Sequence, residues 1–149
     1  MTGSRSERGT ASLELVIVAP FLFALFFLII AFGRYAQTEN LIDQAARDAA
    51  RAATAQNTRA DVPKIVDEVV KDSMDDAPAS CENTAAADPP TISKDAFGLP
   101  DPNNPSAIET VTVTVRCKLD LSDLGALRLG TVEVYRTFTS PLDRYRGYR

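Results

Sequence analysis

Leu15–Phe32 reads LVIVAPFLFALFFLIIAF. Its eighteen residues include no charge and no hydroxyl, and fourteen of them are Leu, Ile, Val or Phe. At 1.5 Å per residue the run makes about 27 Å of helix, close to one hydrocarbon thickness. Each large apolar residue contributes about −0.3 to −0.6 kcal/mol to insertion, so the run gains roughly 4 to 8 kcal/mol. Glu14 stands at its edge, where a charge costs far less than at the bilayer centre. Pro20 lies near the start, and membrane helices tolerate such breaks. The stretch therefore predicts one transmembrane helix, assigned to residues 10–34.

The rest of the chain is not of this kind. The full sequence has 149 residues and a net charge of −4. The first 34 residues hold three basic and two acidic side chains, which leaves 13 basic against 18 acidic in residues 35–149. Such a balance is a poor footprint for nucleic acid, which selects a basic face. Residues 35–149 are enough for one small domain with a modest core. The chain has no His and no Trp. Without His, the commonest general base and the commonest metal ligand are missing. The two cysteines, Cys81 and Cys117, both lie beyond the apolar run. An even pair in a domain read as exported predicts a disulfide between them.

Left of the run, residues 1–9 (MTGSRSERG) form a polar leader with Arg5 and Arg8. The positive-inside rule then favours a cytoplasmic N-terminus. Arg34, Arg47 and Arg51 follow the span, but Glu39, Asp43 and Asp48 accompany them. Two processing sites are legible. Ala31-Phe32-Gly33 has the small-x-small form of a signal-peptide site, although the run is longer than the usual 7–15 residues of a cleaved signal. Gly9, followed by Thr10-Ala11-Ser12-Leu13-Glu14, has a G-xxxx-E form that resembles the type IV pilin processing signal. That resemblance implies cleavage between Gly9 and Thr10 by a prepilin peptidase. Glu14 would then be retained at the membrane edge. A carboxylate near lipid is expensive unless paired, and the resemblance implies a partner: the free amine of Thr10 on a neighbouring subunit.

Right of the run, residues 35–56 (YAQTENLIDQAARDAARAATAQ) contain eight Ala and no Pro or Gly. That composition continues the helix to about Gln56. Asp43 and Arg47 fall at the supportive i, i+4 spacing. Leu41, Ala45, Ala49 and Ala52 form a narrow stripe of small apolar residues. It can pack on the chain's own C-terminal part or on a second subunit's helix.

RGTASLELVIVAPFLFALFFLIIAFGRYAQTENLIDQAARDAARAA is similar to the N-terminal region of TadE-like proteins, small pseudopilins of the tight-adherence (Flp-type) pilus system. The features that carry the likeness are R-G-x-A-x-L-E-L before the span, F-G-R-Y after it and the run A-A-R-D-A-A-R-A-A. The closing Pro141-Leu142-Asp143-Arg144-Tyr145-Arg146 also resembles the tail of actinobacterial members. Leu15 stands where such proteins often carry an aromatic residue. The resemblance implies a structural role in pilus assembly. Its implied partners are membrane lipid, other pilin or pseudopilin subunits, pilus platform proteins and a prepilin peptidase.

In the exported part, residues 61–74 (DVPKIVDEVVKDSM) read as a second helix with Asp61 as N-cap and Pro63 in the first turn. Val62, Ile65, Val66, Val69 and Val70 give it an apolar face, expected to pack on a sheet. Residues 77–107 hold six of the nine prolines and read as a long, poorly structured loop. Thr110–Leu121 alternates strictly. Val111, Val113, Val115, Cys117, Leu119 and Leu121 point one way, and Thr110, Thr112, Thr114, Arg116, Lys118 and Asp120 the other. After a turn region, Ser122–Gly130, whose Leu124, Leu127 and Leu129 are placed to cover an end of the sheet, comes a strand at Thr131–Thr139. There Arg136 interrupts the side carrying Val132, Val134 and Phe138, which predicts an edge or a bend. The two strands pair antiparallel and need the helices as cover. The fold class is α+β: a long transmembrane helix extended into a stalk, a short second helix and a small antiparallel sheet.

No Gly-rich phosphate loop, G-x-S-x-G elbow or metal-ligand cluster is present in the sequence. Asp72, Asp75 and Asp76 read as a charged helix end rather than a metal site, and the DRYRGYR tail as a solvated terminus. No catalytic residue, cofactor or metal is assigned. The reading is a membrane-anchored, non-enzymatic assembly protein with its C-terminal domain extracytoplasmic. Two other readings are a single-pass binding or sensing module that uses the Pro-rich loop, and a soluble domain released after Gly33.

Overall fold

A single helix, α1, runs Glu7–Thr54, 48 residues, straight through Pro20 and across the end of the apolar run. At 1.5 Å per residue it is about 70 Å long. The structure is a computed structural model and describes residues 7–98, 104, 107–124 and 129–143, with side chains from Leu13 onward. Leu127 and the tail from Arg144, both given roles above, lie outside the described residues.

After a 3₁₀ turn at Arg59–Asp61 comes α2, Val62–Ser73. Asp61 occupies the N-cap position, yet its side chain makes no capping bond. Its carboxylate instead accepts the Thr58 hydroxyl at 2.5 Å. Val62, Val66 and Val70 are buried, while Ile65 and Val69 are half-buried. The expected packing of this face on a sheet is corrected: α2 lies mainly against α1 and meets the sheet at a short edge strand.

The segment expected to be a structureless loop is ordered over much of its length. It contains a helical turn, α3 (Ala79–Glu82), and two strands, β1 (Ala86–Ala87) and β2 (Thr91–Ile92). Both pair antiparallel with the central strand β3, Thr110–Asp120. Ala87 lies opposite Val115 and Thr91 opposite Thr112, a register offset of one residue between the two pieces. The pair is thus one edge strand interrupted by a bulge at Asp88-Pro89-Pro90, and edges and bulges are where prolines are tolerated in sheets. Side chains finish this edge. The Ser80 hydroxyl accepts the N–H of Asp120, Thr84 that of Lys118 and Ser93 that of Thr110. These three backbone donors at the β3 edge thereby gain partners.

On its other side β3 pairs with β4, Thr131–Pro141, in an unbroken register from Thr110↔Pro141 to Asp120↔Thr131. Among the described residues β4 pairs with β3 alone, so it is an edge strand. All six predicted inward residues of β3 and its end, Val111 to Leu121 in alternation, are buried. On the wet face the hydroxyl pairs Thr112–Thr139 and Thr114–Thr137 each close at 2.8 Å. Arg116 pairs with Asp88, whose hydrogen bond and charge raise its pKa. Past the strand, Asp120 accepts the Ser122 N–H at 2.8 Å, and the bonds from Ser122 hold its carboxyl below the usual carboxylate range.

The stalk half of α1 lies between α2 and the sheet. This widens the stripe read from the sequence. Thr38, Ile42, Ala45, Ala46, Ala49, Ala50 and Ala53 are buried, whereas Leu41 and Ala52 sit half-buried at its margin. The sequence reading allowed for one contact, and α1 makes two. Cys81 and Cys117 are joined in a disulfide that links α3 to β3, with Cα atoms 5.0 Å apart.

Two outcomes follow for stability. The disulfide closes 36 residues, so replacing both cysteines by Ala should remove about 4 kcal/mol, seen as a lower unfolding midpoint in detergent. Thr38 is fully buried and, among the described residues, its hydroxyl has no hydrogen-bond partner. Thr38→Val should therefore raise stability by about 1 kcal/mol in the same assay.

Candidate membrane anchor and assembly surface

The first half of α1 exposes what a soluble domain would bury. Leu13, Leu15, Val16, Ile17, Phe21, Leu22, Phe23, Leu25, Phe26, Ile29 and Phe32 are all exposed, around the whole circumference of the helix. A helix apolar on every side is matched to a medium that is apolar on every side. Among the described residues this is the one helix long and apolar enough to cross a membrane.

Gly9 and Thr10 fall in the first turn of α1, and their side chains lie outside the described residues. Glu14 is described and exposed. Thr10 and Glu14 stand at i, i+4, so they share one face about one turn apart. This face is continuous with the apolar surface above it.

Beyond the run, three contacts seat the sheet on the stalk. Arg34 binds Asp123 at 2.5 Å. Arg136 pairs with Glu39, which explains the residue that interrupts the apolar side of β4: its charge is met by α1 rather than by solvent alone. Arg47 holds Asp43 at 2.8 Å and lies over the Phe138 ring, 5.5 Å from its centroid. Sequence periodicity flagged Arg136 as anomalous, but nothing in the sequence pointed to Glu39 as its partner. These pairs are partly exposed, and each contributes on the order of 0.2–1 kcal/mol. Their use is to fix the sheet's position along the stalk.

Residues 9–51 match the family model described as TadE-like protein. Over these residues the chain is similar to TadE-like proteins. Comparison with curated proteins and with solved structures returned no match. The TadE-like segment starts at Gly9 and ends at Arg51, wholly within α1. The matched residues are therefore the anchor and nearly all of the stalk, and the sheet domain lies outside the match.

Insertion energetics give a graded expectation. Arg at the centre of a span costs about 3 kcal/mol and removes about 0.5 kcal/mol of favourable transfer, against a total gain of roughly 4–8 kcal/mol. Leu22→Arg alone should leave the protein in the membrane pellet after alkaline carbonate extraction. Leu22→Arg combined with Phe26→Arg should release most of it.

Proposed function

We propose that this chain is a membrane-anchored minor pilin or pseudopilin that acts in the assembly of a tight-adherence (Flp-type) pilus or a related secretion-like machine, in a structural rather than catalytic capacity. The observation that carries the reading is the coincidence of the TadE-like match at residues 9–51 with one unbroken helix. In this reading the helix is a shaft, lipid-soluble below and packed into a small head above. A subunit of this shape can be held in the bilayer before assembly and then pack shaft to shaft with others.

The N-terminus is on the cytoplasmic side and the α+β domain is extracytoplasmic. Arg5 and Arg8 before the span support this orientation. So does the Cys81–Cys117 disulfide, since such bonds persist in oxidising compartments. A prepilin peptidase cuts between Gly9 and Thr10. The new amine lies one helical turn from Glu14 on its own chain and within reach of Glu14 on a neighbour whose shaft is displaced along the axis. A carboxylate at the lipid edge gains most from such a cation, because few other groups there can neutralise it. The partners are pilin-like subunits and the platform proteins of the assembly machine.

Mass spectrometry of the protein isolated from its native membrane should find a chain that begins at Thr10. An intact Met1 or a chain that begins at Arg34 would overturn the processing step. Glu14→Gln should leave cleavage intact while lowering recovery of the protein in cross-linked complexes with other pilin-like subunits by about tenfold, the equivalent of 1.4 kcal/mol. Unchanged recovery would remove Glu14 from subunit pairing.

A further inference from the structure

The apolar run and the folded domain overlap. Ala19 and Ala24, both within the run, are half-buried by the helix around them. Ala31, also within the run, is only 5% exposed. A helix does not hide an alanine to that degree by itself, so another element covers this one. Ala31 belongs to the hydrophobic core of the domain, and Ile30 and Leu129 are partly buried against that core. One turn further on, Arg34 binds Asp123. The 3₁₀ turn Ser122–Leu124, between β3 and β4, is therefore held against α1 at the level of Arg34.

That level has a definite depth. Leu13 to Phe32 spans about 30 Å of helix, which fills one hydrocarbon core. Phe32 then lies at the hydrocarbon boundary and Arg34 about 3 Å beyond it. The headgroup layer adds only about 5–7 Å on each side. A group bonded to Arg34 is consequently inside that layer.

We propose that the described parts of the β3–β4 connection, Ser122–Leu124 and Leu129–Gly130, with the first two residues of β4, Thr131 and Val132, form a second membrane contact that rests in the headgroup layer beside the span. This inference rests on the reading of α1 as a transmembrane helix. The surface fits a bilayer in two respects. Val132, on the same side of β4 as the buried Val134, is 40% exposed, and Phe32 and Ile29 near the end of the run are exposed as well. Arg34, two residues past the run, is already paired with Asp123. At this end of the β3–β4 pair Asp120, Asp123 and Glu133 are balanced in sequence by Arg34, Lys118 and Arg128, so no net cationic charge selects anionic lipid and the contact is with zwitterionic headgroups.

A second contact changes what the anchor does. One helix alone lets a domain swing and tilt, since tilt is set by packing and interfacial anchors. A turn resting on the surface fixes both the tilt of the shaft and the direction in which the sheet faces.

Both cysteines are held in the disulfide, so single thiols can be introduced for labelling. Gly130→Cys is suited to the membrane end, because a Cβ there meets nothing within 4 Å. Asn57→Cys marks the far end of the stalk, about 30 Å away along the helix. Phe21→Cys marks the span. Each full-length variant, carrying a fluorophore, is reconstituted in phosphatidylcholine vesicles with nitroxides on the headgroup or in the mid-chain. The expected result is headgroup quenching at Gly130→Cys about threefold or more above that at Asn57→Cys, given the depth of the headgroup layer, with mid-chain quenching at Phe21→Cys. Equal quenching at the Gly130 and Asn57 positions, with Phe21→Cys still quenched, overturns the second contact and leaves the span intact. Loss of mid-chain quenching at Phe21→Cys overturns the span and this inference with it. A Gly130 label shielded from both lipid nitroxide and aqueous iodide means that protein covers the site, which also overturns the proposal.

Discussion

The rest of the structure depends on the continuity of α1's backbone hydrogen bonding across the edge of the apolar run. Below that edge the helix satisfies its own N–H and C=O groups, which lipid cannot do. Above it the same ladder presents Ile42, Ala45, Ala46, Ala49, Ala50 and Ala53 to two different neighbours at once. Small side chains are what make this possible. With alanines on both flanks, α2 and the sheet can each approach the helix axis closely, and a larger residue would push one of them away. The anchor and the core are therefore one element, read by two solvents.

The sheet is built around β3 in a similar way. Its inward face supplies Val111, Val113, Val115, Cys117 and Leu119 to the core, and its two edges are closed by different means. One edge takes the full-length β4. The other takes two dipeptide strands, three side-chain hydroxyls and a disulfide. Covering an edge piecemeal in this manner blunts it as a template for unwanted pairing. It also accounts for the prolines, which are placed where the ladder asks for no donor.

What could be read from the chain follows from the length over which each signal repeats. The apolar run, the alanine-rich stalk, the alternation from Thr110 and the apolar face of α2 each persist over many residues, and each names its element. β1 and β2 are two residues long. No alternation can be seen in a dipeptide, and Asp88-Pro89-Pro90 between them reads locally as a loop. The stripe on α1 was displaced because a helix face records how much is buried but not by how many partners. Asp61 has the right residue type for a cap, but the nearby Thr58 hydroxyl engages its side chain. Arg136 was legible as an exception. Its partner Glu39 was not, since only the folded chain brings the end of the sequence back to the stalk. Of the candidate site, Gly9, Thr10 and Glu14 stand out through their resemblance to the type IV pilin processing signal. Their roles need a second molecule, which a single chain does not contain.

Because the domain grips α1 from Ala31 to Ala53 and the helix carries no break between the run and that grip, the molecule has the mechanics of a key rather than a tethered bead. Each residue inserted into the run below Ala31 would turn the head by about 100° relative to the lipid-facing side chains and lift it by about 1.5 Å. Length and facing are thus coupled in this protein. Relatives that differ by one residue in the run would present different sides of the head to a common neighbour, while a difference of seven, close to two full turns, would nearly restore the original aspect.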